Sequence, residues 1–248
     1  MLGRLRLSSY SWARTLAGAL LPCSCALCGE TAGEVVCTPC RERYAQPGSS
    51  RCPCCANPLG AHEAAGQRCA GCLADAPEFD ATVAAVDYAA PLDALVLRLK
   101  FGAQLPLAPW FARQVRDAVL ARPGWPLPDL LCPVPLGRQR LVERGFNQAL
   151  EIARPLALSL GVPLQPRLVR RSVETQAQSG VAPSARADNI RGAFELADEA
   201  FEQVEGRHIG VVDDVMTSGH TLNELAATLK RAGAARVSNL VFARTPPH

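Results

Sequence analysis

The sequence predicts an α/β protein with a doubly wound, mostly parallel sheet, preceded by a small cysteine-rich module. After residue 79, short apolar runs alternate with stretches of helical periodicity, which is typical of parallel strands joined by helices. Ten of the eleven cysteines lie between Cys23 and Cys72, and this concentration defines the module. We therefore predict three segments, which are residues 1–22, 23–78 and 79–248.

Residues 1–22 combine three arginines with a short apolar patch at residues 16–21. The patch is far shorter than the roughly 20 apolar residues of a membrane span. It also lacks the small-residue cleavage site of a signal peptide. We expect an amphipathic helix that packs on the next module, no transmembrane span in the chain, and a cytoplasmic location.

Four C-x-x-C pairs make up most of the cysteine-rich module. Two thiolates separated by two residues can face one tetrahedral ion from a tight turn. The pairs are Cys25 with Cys28, Cys37 with Cys40, Cys52 with Cys55, and Cys69 with Cys72. We predict two Zn²⁺ sites of four cysteines each, which would be structural because no coordination position stays open. Sequential pairing is the simplest arrangement, an interleaved cross-brace is the alternative, and disulfides or iron–sulfur clusters fit less well.

The segment after residue 79 begins with a strand at residues 80–88 and continues with helices at residues 92–100 and 110–121. A short buried strand follows at residues 130–134, and a basic stretch follows at residues 137–148. A helix from about residue 147 to residue 161 contains Pro155, which predicts a kink or a break. Residues 167–189 are polar without periodicity and predict a mobile loop that could act as a lid. The remaining strands are predicted at residues 194–196, 209–212 and 237–242.

The stretch at residues 209–222 carries the strongest functional signal. Its apolar run ends in Asp213 and Asp214, and a polar turn precedes the helical spacing that starts at Leu222. Many α/β proteins have such a strand and turn without a ligand. Two acids and three hydroxyl side chains nevertheless favour an anion site, where N–H groups hold a phosphate and carboxylates take sugar hydroxyls or a metal. The turn consists of Thr217, Ser218, Gly219, His220 and Thr221.

Other nucleotide motifs are missing from the sequence, since it contains neither G-x-x-x-x-G-K-[ST] nor G-x-G-x-x-G. Arginines form three clusters along the chain. Any single arginine is most simply part of a solvated basic face, but clusters near an anion site suit a polyanionic ligand. Nucleic acid could use the same surface, although few aromatic residues accompany the charge. The clusters are Arg138, Arg140 and Arg144; Arg167, Arg170 and Arg171; and Arg186 and Arg191.

Taken together, these motifs resemble the ComF family, the group of ComFC-like and GntX-like proteins. The most specific segments are RGFNQ, which ends at Gln148, and VVDDVMTSG, which ends at Gly219. The resemblance covers nearly the whole chain. It implies a double zinc ribbon over residues 23–78 and a type I phosphoribosyltransferase domain over residues 79–248. The implied ligand is phosphoribosyl pyrophosphate (PRPP) or another ribose 5-phosphate, bound with Mg²⁺.

The resemblance also assigns roles to residues. Asp213 and Asp214 would meet the ribose hydroxyls, and residues 217–221 would wrap the 5′-phosphate. Lys100, Arg138 and Arg144 would lie near the pyrophosphate or the incoming substrate. His220 departs from the small residues that are usual in such loops.

Three functions follow from this resemblance. The favoured one is a phosphoribosyltransferase that displaces pyrophosphate from PRPP. The second is a non-catalytic protein that binds single-stranded DNA in natural transformation, together with proteins of the competence machinery. The third is a regulator that senses PRPP.

Overall fold

A computed structural model describes residues 23–46, 50–60, 66–172 and 192–246. The chain forms two compact units, one ending at Gln46 and the other beginning at Pro47. The second group of four cysteines therefore belongs to the unit that contains the sheet, although we placed a boundary between residues 78 and 79. The predicted amphipathic helix at residues 1–22 lies outside the described residues. Within the described ranges, no helix is both long enough and apolar enough to span a membrane.

The smaller unit is built around its cysteines. Strand β1 (Cys23–Ser24) pairs antiparallel with strand β2 (Thr31–Ala32), and helix α1 (Thr38–Tyr44) follows. Pro39 lies in the first turn of α1, where its missing N–H costs no helical hydrogen bond. The helix buries Cys40 and leaves most of its other residues exposed.

A four-stranded parallel sheet organises the larger unit. The strands of this unit are β3 (Ala81–Asp87), β4 (Leu130–Pro133), β5 (Val169–Arg171), β6 (Phe194–Leu196), β7 (His208–Met216) and β8 (Arg236–Arg244). The order in the main sheet is β3-β8-β7-β4, and all three pairings are parallel. This confirms the predicted α/β sheet. The carboxyl ends of β7 and β8 therefore lie side by side at one edge.

Helices cover both faces of this sheet, as the doubly wound prediction requires. The helices of the larger unit are α2 (Ala70–Ala74), α3 (Leu92–Gly102), α4 (Leu107–Leu120), α5 (Arg138–Arg144), α6 (Gln148–Leu160), α7 (Phe201–Val204) and α8 (His220–Arg231). Phe242 of β8 stacks on Phe111 of α4, with ring centroids 3.8 Å apart. The neighbouring Val241 belongs to a core cluster with Leu225 of α8. Because side chains alternate along a strand, these two contacts lie on opposite faces.

Two helical predictions differ from the structure. Helix α6 continues through Pro155, so the break that we allowed for there does not occur. The proline removes one backbone hydrogen bond, but Asn147 caps the helix by accepting from the N–H groups of Ala149 and Leu150. The basic stretch, to which we assigned no element, forms α5 and ends at Gly145 in the left-handed conformation, with φ of 79°.

Two strand predictions also need correction. Residues 169–171 were expected to lack regular structure, but they form β5 and pair antiparallel with β6. Strand β6 consequently lies in a separate two-stranded sheet rather than in the main one. Residues 173–189 of the predicted mobile loop lie outside the described residues. Strand β7 extends past its predicted end through Asp213 and Asp214, because Asp213 and Val215 pair with residues of β8.

Candidate functional site

Two groups of four cysteines converge, one in each compact unit. In each group the four Sγ atoms lie within 4.8 Å of one another. The grouping is sequential, without interleaving, so the structure selects one of the two pairings that the sequence left open. The first cluster consists of Cys25, Cys28, Cys37 and Cys40, and the second of Cys52, Cys55, Cys69 and Cys72.

The distances between sulfur atoms fit a tetrahedral zinc ion. The Sγ atoms of Cys28 and Cys37 are 3.7 Å apart, and those of Cys55 and Cys69 are 3.6 Å apart. A tetrahedron with zinc–sulfur bonds of about 2.3 Å separates its sulfurs by about 3.8 Å. Both clusters are therefore compatible with zinc. Four protein ligands would fill the coordination shell, so such an ion would hold the fold together rather than activate a substrate.

Backbone N–H groups prepare these thiols for a metal. Cys37 N donates to Cys25 Sγ at 3.4 Å, and Cys69 N donates to Cys52 Sγ at 3.3 Å. Burial raises the pKa of Cys25, but N–H donors of the surrounding turn outweigh burial and lower the pKa to about 6. The same balance lowers the pKa of Cys52 to about 7. One thiol in each cluster thus favours the thiolate, which is the form that binds metal.

The acid pair lies near the carboxyl end of β7. Lys100, near the end of α3, places its Nζ 2.7 Å from Oδ2 of Asp214, whose side chain is only 2% exposed. Asp213 Oδ1 accepts a hydrogen bond from the N–H of Asp214 at 2.9 Å. Burial, followed by the negative charge of Asp214, raises the pKa of Asp213 well above its ordinary value of 3.8. Lys100 opposes this effect, so the site combines one compensated carboxylate with one that holds a proton tightly.

The turn that follows the acid pair leads directly into helix α8. Gly219 precedes the helix with φ of 87°, and a Cβ atom there would lie 2.7 Å from the Met216 side chain. A larger residue at this position would therefore be strained and would displace Met216. Ser218 Oγ and His220 Nδ1 are 3.1 Å apart, within hydrogen-bonding distance. His220 thus begins the helix and contacts the turn, where free N–H groups and the positive helix end can hold an anion.

Arg144 reaches the neighbourhood of the acid pair from the end of α5. Its guanidinium lies 5.4 Å from the ring centroid of Phe101, the residue after Lys100, and it donates to Gln148 Oε1. Burial lowers the pKa of Arg144, and the negative charges of Asp214 and then Asp213 oppose this effect. The structure therefore brings Lys100, Arg144 and both acids into one electrostatic neighbourhood.

Arg138 is placed differently. It lies exposed in the first turn of α5, and within the described part of the chain no ion pair joins it to the acid pair. Sequence reasoning missed Phe101, whose side chain is 76% exposed. The available signal was its position directly after Lys100 at the end of a predicted helix.

Sequence reasoning also missed a role for Arg244, the last residue of β8. This arginine is 6% exposed, and its Nη1 donates to the carbonyl oxygens of Met216, Thr217 and Thr245. Its Nε donates to the Cys55 carbonyl at 3.0 Å. Burial lowers the pKa of Arg244. One buried side chain therefore touches both the second cysteine cluster and the turn after the acid pair.

Comparison with known proteins identifies the family. A DNA utilization protein, YhgH, of Salmonella typhi is 37% identical over 199 residues, which are 79% of this chain and 85% of that protein. The chain belongs to the ComF family. Competence protein F of Haemophilus influenzae is 35% identical to this ComF protein over 182 residues, covering 72% of this chain and 79% of the relative.

The C-terminal part of this ComF protein matches a known domain family. Residues 147–247 match the phosphoribosyl transferase domain family. Among solved structures, an adenine phosphoribosyltransferase from Thermoanaerobacter pseudethanolicus aligns with 53% of this chain and 77% of its own, with a TM-score of 0.33 and 18% identity. The residues that match the domain family include β7, the acid pair, the turn and α8.

Proposed function

We propose that this ComF protein binds PRPP or another ribose 5-phosphate, together with Mg²⁺, and acts as a phosphoribosyltransferase. The carrying observation is the acid pair of β7, which stands directly before a turn that opens into α8. Residues 217–221 offer N–H groups and hydroxyls to a 5′-phosphate, and the acids offer oxygen atoms to ribose hydroxyls. Phosphate and sugar can therefore be held within one strand-turn-helix segment.

The two acids would have different roles. Asp214 already forms an ion pair with Lys100, so its charge is compensated before any ligand arrives. Burial and then the negative charge of Asp214 raise the pKa of Asp213, which therefore holds its proton more tightly than an ordinary carboxyl. Binding of a ribose with a divalent cation would favour the ionised form of Asp213. We therefore expect Mg²⁺-dependent affinity to increase as pH rises through the raised pKa of Asp213.

In the proposed reaction, a nucleophilic atom of the acceptor forms a bond to C1 of the ribose. The bond between C1 and the pyrophosphate oxygen breaks, its electron pair leaves with pyrophosphate, and the proton of the acceptor passes to solvent. Mg²⁺, when bound, would neutralise charge on the leaving group. Lys100 and Arg144 would add positive charge near the departing pyrophosphate, and the acids would stabilise the developing positive charge on the sugar.

Titration of the protein with ribose 5-phosphate and with PRPP, with and without Mg²⁺, tests this proposal. We expect the double variant Asp213→Ala/Asp214→Ala to bind at least about 100-fold more weakly, because it loses two carboxylate groups that accept hydrogen bonds from the ribose hydroxyls and together are worth about 3 kcal/mol. Asp198→Asn, which removes an acid of similar size but 90% exposed, is the matched control and should bind normally. Equal affinity in the double variant and the wild type would refute the site.

Measuring pyrophosphate release in the same samples distinguishes a catalytic phosphoribosyltransferase from a regulator that only senses PRPP. A phosphoribosyltransferase releases pyrophosphate when a suitable base is added, whereas a PRPP-sensing regulator binds the ligand without release.

A reducing compartment would keep the cysteine clusters as thiolates, and the cytoplasm is accordingly the location that we propose.

Binding of single-stranded DNA is a second candidate function, favoured by the pair formed by Phe101 and Arg144. An aromatic ring that is largely exposed can stack on a base, and an arginine over the same ring can contact a phosphate. The DNA-related names of the relatives support this candidate, and the protein would then act together with proteins of the competence machinery. Both functions could use one surface, since Phe101 directly follows the acid-pair partner Lys100.

We expect Phe101→Ala to weaken the binding of an unstructured oligonucleotide roughly tenfold, because one stacked base contributes about 1–3 kcal/mol. Phe201→Ala is the matched control, since Phe201 is another exposed phenylalanine, 50% exposed, at the start of α7. Fluorescence anisotropy at several salt concentrations measures the effect. An equal loss in both variants would show that Phe101 has no specific role, and an unchanged affinity in Phe101→Ala would reject the stacking contact.

A further inference from the structure

The Arg244 side chain forms hydrogen bonds both to the second cysteine cluster and to the turn after the acid pair, which is the candidate phosphate site. On one side it donates to the carbonyl of Cys55, a residue of the second cysteine cluster. On the other side it donates to the carbonyls of Met216 and Thr217, which lead into the turn. All of these groups lie within the larger unit.

The link is specific because a planar, permanently charged guanidinium makes it from a buried position. Its N–H groups point in fixed directions, so the carbonyl groups that accept from them cannot move independently while the hydrogen bonds persist. Lysine would keep the charge but would offer a single nitrogen, which cannot bridge two separated groups of carbonyls. A buried charge also needs these acceptors, since losing one would leave a desolvated donor unpaired.

The position of the Cys55 carbonyl depends in turn on the cluster. Residues 52–57 form a tight knuckle, in which Cys52 N donates to Asn57 O and Ala56 N donates to Cys52 O. Zinc bound by Cys52 and Cys55 would fix two positions within this knuckle, and the distances between sulfur atoms in both clusters fit zinc. A change in metal geometry would therefore move the carbonyl that Arg244 holds.

We propose that Arg244 is a positioning residue that couples the second zinc site to the phosphate turn, so that bound metal presets residues 217–219 for a ribose phosphate. This inference rests on the proposed function for its ligand. The coupling is reciprocal, so a ligand in the turn would strengthen metal binding at the second cluster by the same factor. The zinc there would accordingly serve ligand affinity as well as folding.

Amide NMR of the full chain tests the link without any ligand. Exchanging zinc for cadmium lengthens the metal–sulfur bonds and should shift the backbone amide resonances of residues 217–219 in the wild type. In Arg244→Lys the same exchange should leave those resonances unchanged. Arg51→Lys is the matched control, since Arg51, whose side chain is 8% exposed, donates to the Ala56 carbonyl of the same knuckle and to Asp87. That control should retain the wild-type shifts.

Calorimetric titration with ribose 5-phosphate and Mg²⁺ supplies the second readout. We expect Arg244→Lys to bind roughly tenfold more weakly, as is typical of coupled sites, and Arg51→Lys to bind normally. Thermal unfolding of each variant shows that it is folded. If the amide resonances of residues 217–219 in the wild type do not shift when zinc is exchanged for cadmium, the coupling is refuted. Failure of the wild type to bind the ligand, with the metal-dependent shifts present, would instead overturn only the proposed function.

Discussion

Removing the metal from the second cysteine cluster is expected to unfold the larger unit. Cys52, Cys55 and Cys72 lie in the same buried core as Ile209 and Val241 of the central sheet. Without an ion, four closely spaced sulfurs would stay in that core with nothing to bind them together. Structural zinc contributes about 10–16 kcal/mol in small zinc domains, which is comparable to the roughly 5–15 kcal/mol that usually stabilises a whole protein.

The measurement is circular dichroism of the sheet signal during titration with a strong chelator, alongside metal analysis. We expect about two zinc ions per folded chain, a predicted stoichiometry of one per cluster. The control is Cys37→Ser, which removes one ligand of the first cluster and should lower the zinc content while the melting transition of the larger unit persists. A metal-free chain with an unchanged melting temperature would contradict the structural role of the second site.

The second large effect is expected from Lys100→Met. This change leaves Asp214, which is 2% exposed, as a buried carboxylate without its ion-pair partner. Breaking a buried pair from one side typically costs 3–5 kcal/mol. We expect about 3 kcal/mol, because the Lys100 side chain is still 24% exposed and solvent screens part of the interaction. At about 2–4 °C for each kcal/mol in a protein of this size, the melting temperature should fall by roughly 6–12 °C.

The double variant Lys100→Met/Asp214→Asn is the matched test, because removing both charges should recover most of the lost stability. The pH dependence has a definite sign. Asp213 binds its proton more tightly in the folded state than in the unfolded state, so the free energy of unfolding should fall as pH rises above 3.8 toward the raised pKa. Loss of Lys100, which opposes that shift, should extend this decrease to higher pH. A double variant no more stable than Lys100→Met would contradict the ion-pair explanation.

The parts of the fold that could be predicted are those with a local signal. Residues 209–212 are apolar throughout, as expected for an inner parallel strand, and α8 repeats Leu222, Leu225 and Leu229 at helical spacing. Strand β5 escaped prediction because three residues are too few to show a period, and its partner β6 lies beyond a long insertion. Pro155 does not break helix α6, because the buried face of α6 stabilises the helix around the proline.

The candidate site shows a similar division. The acid pair and the turn are contiguous in sequence, so residues 213–221 could be proposed directly. The contacts that tune them are not contiguous. Arg244 meets a carbonyl 189 positions away, and Lys100 of helix α3 meets an acid on strand β7. Such contacts depend on how β8 is placed beside β7, which no local pattern reveals.

The position of β8 within the sheet has a consequence for synthesis on the ribosome. Strand β3 leaves the ribosome about 150 residues before β8, yet β8 is its only partner in the described sheet. At elongation rates of about 5–20 residues per second, the edge of β3 stays unpaired for roughly 8–30 s. During that time the nascent chain exposes an apolar strand edge, which is a template for aggregation. The larger unit is therefore expected to fold late and to depend on chaperones while it is being made.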